Sequence, residues 1–409
     1  MKYSIRFNGE LKGTIRLPAS KSISNRALII SALSGNLYEI QNLSDCDDTK
    51  IMIDSLASDA KTIDVGAAGT AMRFLTAYFA MQQGERVITG TERMKNRPIR
   101  ILVDALNAVG AGVRYMEKAG FPPLLVKGSC LKGGTVDLNG EVSSQYISAL
   151  MMIAPLMSEG LVLHLKPPVI SQPYIRMTVQ LMETFGIGVQ WTENTILIPP
   201  QPYKPVLFKV ENDWSAASYW YEMMLLAPGS PVINLPGLNQ TSLQGDANGR
   251  KLFERLGVAT AFTEEGILLS KKQTQVDRLD YHFADEPDLV QTFVVACALK
   301  QVPFRFTGLQ SLRIKETDRI AALQKEMKKL GFVIHCRDDN QLEWSGERCE
   351  AESLPSIDTY EDHRMAMAFA PAAIVFDAVT INAPSVVSKS YPQFWEELET
   401  AGFLIEETE

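Results

Sequence analysis

Ile101-Leu-Val-Asp-Ala-Leu-Asn-Ala-Val-Gly110 is an amphipathic stretch closed by a glycine, and it decides the fold because it recurs. The pattern returns at Val179-Gln-Leu-Met-Glu-Thr-Phe-Gly186, Leu252-Phe-Glu-Arg-Leu-Gly257, Leu323-Gln-Lys-Glu-Met-Lys-Lys-Leu-Gly331 and Phe394-Trp-Glu-Glu-Leu-Glu-Thr-Ala-Gly402. A weaker copy without the glycine is Ile51-Met-Ile-Asp-Ser-Leu-Ala-Ser58. Each reads as a helix ended by a left-handed residue, the position for which glycine is suited. Strand-like stretches at Val113–Tyr115, Val189–Trp191 and Phe332–Ile334 follow three of them. Successive closing glycines lie 71 to 76 residues apart. That period is too long for an ordinary solenoid and suits a compact βαβαββ unit. Six such units fit in 409 residues. The expected fold class is therefore α/β (α+β), with two similar lobes of three βαβαββ units each.

Working outward, proline punctuation is densest at Ile198-Pro-Pro-Gln-Pro-Tyr-Lys-Pro205, near the middle, where a lobe boundary would fall. Tyr3, Ile5 and Phe7 alternate like a strand before Pro18. Periodicity does not say which lobe that strand joins.

Acids outnumber bases by 48 to 40, so attraction to nucleic acid or to anionic lipid is not expected. Any anion site must be a local gathering of Lys and Arg. The amino terminus has no apolar core of a signal peptide. The longest apolar runs, Ile147–Met157 and Met365–Phe376, each contain a proline and are too short to span a bilayer. Cys46, Cys130, Cys297, Cys336 and Cys349 show no CxxC spacing and read as reduced, buried thiols rather than metal ligands. A cytoplasmic protein without metal or redox cofactor is expected.

Several segments carry possible chemistry. In Pro18-Ala-Ser-Lys-Ser-Ile-Ser-Asn-Arg26, Pro18 and Ser20 signal a helix start. Lys21 would stand at its N-terminus, with Ser22 and Arg26 one turn apart. Such a convergence of N–H groups, hydroxyl and cations suits phosphate. Two cations there oppose the helix dipole, which a purely solvated role does not explain. In Val65-Gly-Ala-Ala-Gly-Thr-Ala-Met-Arg73, Gly66 and Gly69 permit close backbone approach and Thr70 can cap. Gly90-Thr-Glu-Arg-Met-Lys-Asn-Arg-Pro-Ile-Arg100 crowds four cations against Glu92, either as a solvated run or as a packed loop.

Val142-Ser-Ser-Gln145 and Ser171-Gln-Pro-Tyr174 offer small polar groups, ordinary when read alone. Asp288, at the head of an apolar helix, reads as an N-cap on residues alone. In Arg313-Ile-Lys-Glu-Thr-Asp-Arg319, which opens the helix ending at Gly331, Lys315 and Arg319 would be an unfavourable i,i+4 pair unless an anion or Asp318 relieves it. His363 and Arg364 stand together before an apolar helix, and Lys389 reads as a loop lysine.

Together, SKSISNRAL, GTAMR, RMKNRPI, SSQ, KETDR and DHRMAM, in that order along nearly the whole chain, resemble the 5-enolpyruvylshikimate-3-phosphate synthase family. The resemblance implies two lobes of three βαβαββ units. Residues 20–210 would be inserted into a second lobe of 1–19 with 211–409, with the site in the cleft between them. It implies transfer of the enolpyruvyl group of phosphoenolpyruvate to the 5-hydroxyl of shikimate 3-phosphate, with loss of phosphate. A monomeric enzyme without cofactor is the corresponding expectation.

Carried over by residue, Lys21, Ser22, Arg26, Ser143, Ser144, Gln145, Ser171, Tyr174, Asp288, Ser311 and Lys315 resemble shikimate 3-phosphate contacts. Lys21, Gly69, Arg97, Gln145, Arg319, Arg364 and Lys389 resemble phosphoenolpyruvate contacts. Asp288 resembles the base for the 5-hydroxyl and Glu316 a proton carrier at C3, with Lys21 and His363 as catalytic neighbours. Ala67, Ser311 and Glu361 each stand where the family usually has Asn. UDP-N-acetylglucosamine enolpyruvyl transferase shares the chemistry, but usually carries a catalytic cysteine on a mobile basic loop. No cysteine occurs here between residues 47 and 129. A non-catalytic binder of phosphorylated metabolites could dispense with Asp288 and Glu316.

Overall fold

The structure is a computed structural model that describes residues 1–35 and 37–408. Asn36, and Glu409 at the end of the expected second lobe, lie outside the described residues. The chain divides into two compact units, Ala19–Val210 and Met1–Pro18 with Glu211–Glu409.

Five four-stranded sheets are present among the described residues, all built alike. The first strand pairs parallel with the second, the fourth pairs antiparallel with the second, and the third pairs antiparallel with the fourth. The Ala19–Val210 unit has Thr62–Asp64, Gly84–Thr89, Gly112–Tyr115 and Leu124–Gly128 in one such sheet. Gly134–Asn139, Leu161–Lys166, Gln190–Thr192 and Thr195–Ile198 form the next. In the other unit, Leu279–His282, Phe304–Thr307, His335–Arg337 and Gln341–Trp344 repeat the arrangement.

The two remaining sheets use the chain's first residues. Lys12–Thr14 supplies the first strand beside Val232–Pro236, with Val258–Phe262 and Gly266–Lys271 following. Lys2–Phe7 supplies the fourth strand, between Val379–Asn382 and Phe403–Thr408, with Ser356–Ile357 at the edge. The strand read from Tyr3, Ile5 and Phe7 thus closes the last repeat. The sixth repeat has its two helices, Lys21–Leu33 and Asp47–Ala57, but among the described residues it has only an isolated bridge, Gln41 to Lys209, in place of a sheet. Pro199, Pro200, Pro202 and Pro205 lead into that stretch and lack ladder donors.

Each repeat uses its two helices differently. The glycine-closed copies are the outer, amphipathic helices: Arg100–Ala108, Gln172–Thr184, Gly249–Leu256, Arg319–Lys329 and Phe394–Thr400. Gly110, Gly186, Gly257, Gly331 and Gly402 all have φ between 82° and 111°, where a Cβ would be strained, and a strand follows each. After Gly331 the ladder starts three residues late, at His335, because Phe332 makes only a bridge to Arg348.

The partner helices are apolar nearly all round and form the cores. Every residue of Val290–Leu299 and of His363–Phe369 is buried, as are most of Trp214–Leu226. Gly69–Met81, Ser144–Ile153 and Lys21–Leu33 do the same in the other unit. Fully burying one such Phe, Val or Leu contributes about 1.5–3 kcal/mol. Among the described residues no helix is long and apolar enough to cross a membrane. The thiols are free, but only Cys46 and Cys297 are buried; Cys130 and Cys349 are exposed, since both follow strands into surface loops.

Candidate functional site

The central helices are apolar, so the polar residues of their first turns are concentrated at one end. In the Ala19–Val210 unit the helix Lys21–Leu33 begins as the sequence suggests. Ser20 holds the N-cap position, but its buried hydroxyl caps nothing. Lys21 Nζ lies 3.4 Å from Asp48 at the start of the next helix.

Arg26 is buried and joins three helices. Its Nε donates to Thr178 Oγ1 at 2.8 Å, one Nη to Ser148 Oγ at 3.2 Å and the other to the Ser22 carbonyl at 2.9 Å. Burial pulls this guanidinium down to about 10, so it stays charged at neutral pH. Gln145, on the helix Ser144–Ile153, donates to Thr70 Oγ1 at 3.2 Å, and Ser143 accepts from the Gln145 N–H. Thr70 therefore holds Gln145 rather than capping; Ala68 is the N-cap of Gly69–Met81.

Gly69 has a steric reason. A Cβ there would fall 2.6 Å from an Arg97 nitrogen and 2.7 Å from an Arg73 nitrogen. Arg73 is buried and donates to the Gly69 carbonyl at 2.7 Å. In the basic segment, Lys95 is paired with Glu92 and Glu117, and Arg100 bonds the Ala119 carbonyl. Arg97 is different: its buried Nε has no hydrogen-bond partner among the described residues. The Tyr146 hydroxyl bonds the Pro98 carbonyl and fixes that loop to the helix carrying Ser144 and Gln145. Ser171 begins Gln172–Thr184 in the left-handed region at φ 55° and is buried, with the Tyr174 N–H bonded to its carbonyl at 3.1 Å. Ala67 lies exposed on the preceding turn.

The other unit carries the acids. Asp288 lies in a short 3-10 turn, Pro287–Leu289, ahead of Val290–Leu299, and is not that helix's N-cap. Its carboxylate meets Arg319 Nη1 at 2.9 Å, Arg364 Nη2 at 2.8 Å and Lys315 Nζ at 3.5 Å. Burial alone would raise Asp288, but Arg364, Lys315 and Arg319 outweigh it and hold the carboxyl well below its usual range. Arg319, 1% exposed, also donates to Asp362 at 2.7 Å and to Glu316 at 2.9 Å. Burial works against its charge, yet Asp362, Glu316 and Asp288 raise it above the ordinary value.

The helix ending at Gly331 starts at Arg319 with Asp318 as a bonded N-cap, not at Arg313. Gln310–Ile314, which includes Ser311, is a 3-10 turn and Lys315 is extended. Lys315 and Arg319 are therefore not stacked on one helix face; both turn to Asp288, while Asp318 goes to Arg313 at 2.7 Å. His363 is buried at the start of His363–Phe369, whose N-cap Asp362 accepts from the Arg364 N–H at 2.9 Å. Lys389 donates to the Glu361 carbonyl at 2.8 Å.

That contact depends on a strained corner. Tyr360 and Glu361 are consecutive left-handed residues, at φ 53° and 56°. Asn tolerates this conformation better than Glu. Glu361→Asn is expected to raise stability by about 1 kcal/mol in urea denaturation. An unchanged or lower midpoint would show that Glu361 is not strained.

Sequence reasoning left Asp362, Arg73 and Asp48 without roles, and gave Thr70 a capping role in place of its bond to Gln145. Asp362 and Arg73 stand inside the quoted DHRMAM and GTAMR motifs. Asp48 had no signal, because its partner Lys21 is far away along the chain.

Repeated βαβαββ units that place cations and a cation-bound carboxylate at helix starts define a class of enzyme that handles phosphorylated anions. A family model described as EPSP synthase (3-phosphoshikimate 1-carboxyvinyltransferase) matches residues 5–58 and 53–398. A 3-phosphoshikimate 1-carboxyvinyltransferase of Bacteroides fragilis (strain YCH46) is 57% identical over 404 residues, covering 98% of each chain. One from Aliivibrio fischeri (strain ATCC 700601 / ES114) is 34% identical over 418 residues, covering 95% of this chain and 96% of that one. The chain belongs to the EPSP synthase family. Among solved structures, EPSP synthase from Acinetobacter baumannii matches with TM-score 0.77 at 20% identity, covering both chains fully. The enolpyruvyl transferase NikO from Streptomyces tendae matches with TM-score 0.73 at 15% identity, covering 100% of this chain and 98% of that one. These two show the shared fold.

Proposed function

We propose that this protein transfers the enolpyruvyl group of phosphoenolpyruvate to the 5-hydroxyl of shikimate 3-phosphate, releasing phosphate on the route to aromatic amino acids. The observation that supports this most is Asp288, a carboxylate kept ionised by Arg319, Arg364 and Lys315. It is able to accept the hydroxyl proton, while the cations around it suit an anionic co-substrate.

The chemistry needs a proton at C3 of phosphoenolpyruvate, attack of the hydroxyl at C2, then loss of phosphate and of a C3 proton. Glu316, bonded to Arg319, is assigned the C3 proton, and Asp288 the hydroxyl proton. Arg97, Arg319, Arg364, Lys389, Lys21, Gln145 and Gly69 are assigned to phosphoenolpyruvate. Arg97, with its unsatisfied buried Nε, suits an incoming anion. Ser22, Ser143, Ser144, Ser171, Tyr174 and Lys315 are assigned to shikimate 3-phosphate, together with Lys21 and Gln145. Arg26 joins this group by bonding the Ser22 carbonyl. Ser311 offers a shorter hydrogen-bonding arm than Asn, and His363 neighbours Arg364. The inserted lobe, 20–210, thus carries mainly shikimate 3-phosphate contacts, and 1–19 with 211–409 the acid and base. On this reading the enzyme acts as a cytoplasmic monomer.

Phosphate release tests this. Phosphoenolpyruvate with shikimate 3-phosphate should liberate inorganic phosphate, and phosphoenolpyruvate with UDP-N-acetylglucosamine should not. Release only with the nucleotide sugar would overturn the acceptor. Silence from folded protein with both would favour a non-catalytic binder.

A further inference from the structure

Tyr360 and Glu361, the two consecutive left-handed residues, stand immediately before Asp362, His363 and Arg364. Neither is glycine or asparagine, so this corner persists only where surrounding contacts over-determine it. A helix, a strand and a turn supply those contacts.

The helix is Arg319–Lys329, which carries Glu326 seven residues beyond Arg319. Glu326 is fully buried, and both of its carboxyl oxygens are engaged. Oε1 accepts the Tyr360 hydroxyl, and Oε2 accepts the Asp358 N–H at 3.0 Å. Lys329 Nζ lies 2.7 Å from the same Oε2 and donates to Asp358 at 3.1 Å and to the Ser356 carbonyl at 2.6 Å. Burial, and then the bond to Glu326, raise the Tyr360 phenol above its ordinary value, so it stays a donor at neutral pH. The same helix grips the corner at its other end, where Arg319 holds Asp362 at 2.7 Å.

The strand is Val379–Asn382. Asn382 Nδ2 donates to Asp358 Oδ1 at 2.8 Å, and the Asn382 carbonyl accepts the Thr359 hydroxyl at 3.0 Å. The turn is Pro384–Lys389, whose last residue donates from Nζ to the Glu361 carbonyl at 2.8 Å. A hydroxyl on one residue of the corner is thus tied to a buried carboxylate, and the carbonyl of the next residue holds a lysine. The peptide unit after Glu361 is planar, so a return of Glu361 to an ordinary backbone conformation would reorient the carbonyl that Lys389 uses.

Resting on the functional reading above, we propose that Tyr360 is a positioning residue that, through Glu326 and the Glu361 carbonyl, fixes Lys389 for the anionic co-substrate. Tyr360 makes no bond to substrate in this scheme. It acts before binding, by holding Lys389 in one place and so lowering the ordering cost of the contact.

Tyr360→Phe removes the hydroxyl alone, and Arg319 still holds Asp362, so the corner is loosened rather than undone. KM for phosphoenolpyruvate should rise about tenfold, with KM for shikimate 3-phosphate within about twofold and kcat within about threefold. A general loosening would have the same effect whatever stands at position 389, so a double-mutant cycle decides. In a Lys389→Ala background, Tyr360→Phe should shift KM for phosphoenolpyruvate by less than about twofold. Glu361→Asn, added to Tyr360→Phe, should bring KM back to within about threefold of wild type, because Asn tolerates the left-handed conformation.

Thr359→Val frees the corner from the Asn382 carbonyl and leaves Glu326 untouched. It should give a smaller rise of the same kind, again lost in the Lys389→Ala background, which keeps the inference open to refutation even where Tyr360→Phe folds poorly. Equal rises in both backgrounds, or no rise in either variant, would overturn the inference. Hydrogen exchange of the substrate-free protein separates this from the functional reading: exchange across residues 358–365 should quicken in Tyr360→Phe. Quickened exchange in a protein whose wild type releases no phosphate would overturn the functional reading, whereas unchanged exchange would overturn the positioning role.

Discussion

Asp288→Asn is expected to lower kcat by about two to four orders of magnitude, while KM for either substrate moves by only a few-fold. Asn is nearly isosteric and its amide oxygen can still accept from Arg319 or Arg364, so the local packing survives. What it loses is the ability to take the hydroxyl proton in the transition state, an effect that appears in kcat. The three cations hold Asp288 ionised throughout the neutral range, so the acid limb of the pH–rate profile should not come from this residue. Arg97→Ala provides the contrast. Losing one charge-assisted contact of about 1.5–3 kcal/mol should raise KM for phosphoenolpyruvate by roughly 10–100-fold with a smaller effect on kcat. Steady-state kinetics on both variants decides, and comparable losses of turnover and affinity in the two would sink the role assignments.

Glu222→Met is expected to stabilise the protein, and by more at pH 8 than at pH 5.5. Glu222 lies on the buried helix Trp214–Leu226, fully enclosed, with neither carboxyl oxygen hydrogen-bonded among the described residues. Burial raises it well above the ordinary carboxylate value. In the unfolded chain it ionises above about pH 4.3. The folded state holds the proton longer, so the wild-type protein loses stability as pH rises from that value toward the folded one. Methionine removes this pH-dependent cost and the unsatisfied oxygens, which alone cost about 1–3 kcal/mol. A rise in Tm on the order of 5 °C at pH 8 follows for a unit of this size. Thermal denaturation followed by circular dichroism at the two pH values is the check. Glu222→Gln, which cannot ionise but keeps polar atoms in the core, should also abolish the pH dependence and so recover only the pH-dependent part of the gain. A gain for Met that does not grow with pH would mean that Glu222 finds a partner that keeps it charged.

The outer helices were legible because they are amphipathic and end in glycine, both local properties. The inner helices were less so. Val290–Leu299, and His363–Phe369 beyond Arg364, are apolar nearly all round, so periodicity gives no sign of which side faces what. The start of Arg319–Lys329 was misplaced by six residues, from Arg313 to Arg319, because Lys315 and Glu316 are good helix formers. In the folded chain, Asp318 caps the helix and Lys315 is drawn to Asp288. Likewise Arg26 carried the expected charge, but its burial against Thr178 and Ser148 depends on residues more than a hundred positions away.

The sequence by itself determined the repeat, the closing glycines and the motif segments from which the candidate residues come. These follow from hydrophobic periodicity and backbone conformation, which act over a few residues. Only the tertiary structure decided that Lys2–Phe7 and Lys12–Thr14 complete two different sheets. It also decided that Asp288 gathers Lys315, Arg319 and Arg364, and that Asp362 and Glu222 are enclosed. Charge pairing and burial depend on distance in space, and distance in space is set by how the central helices pack.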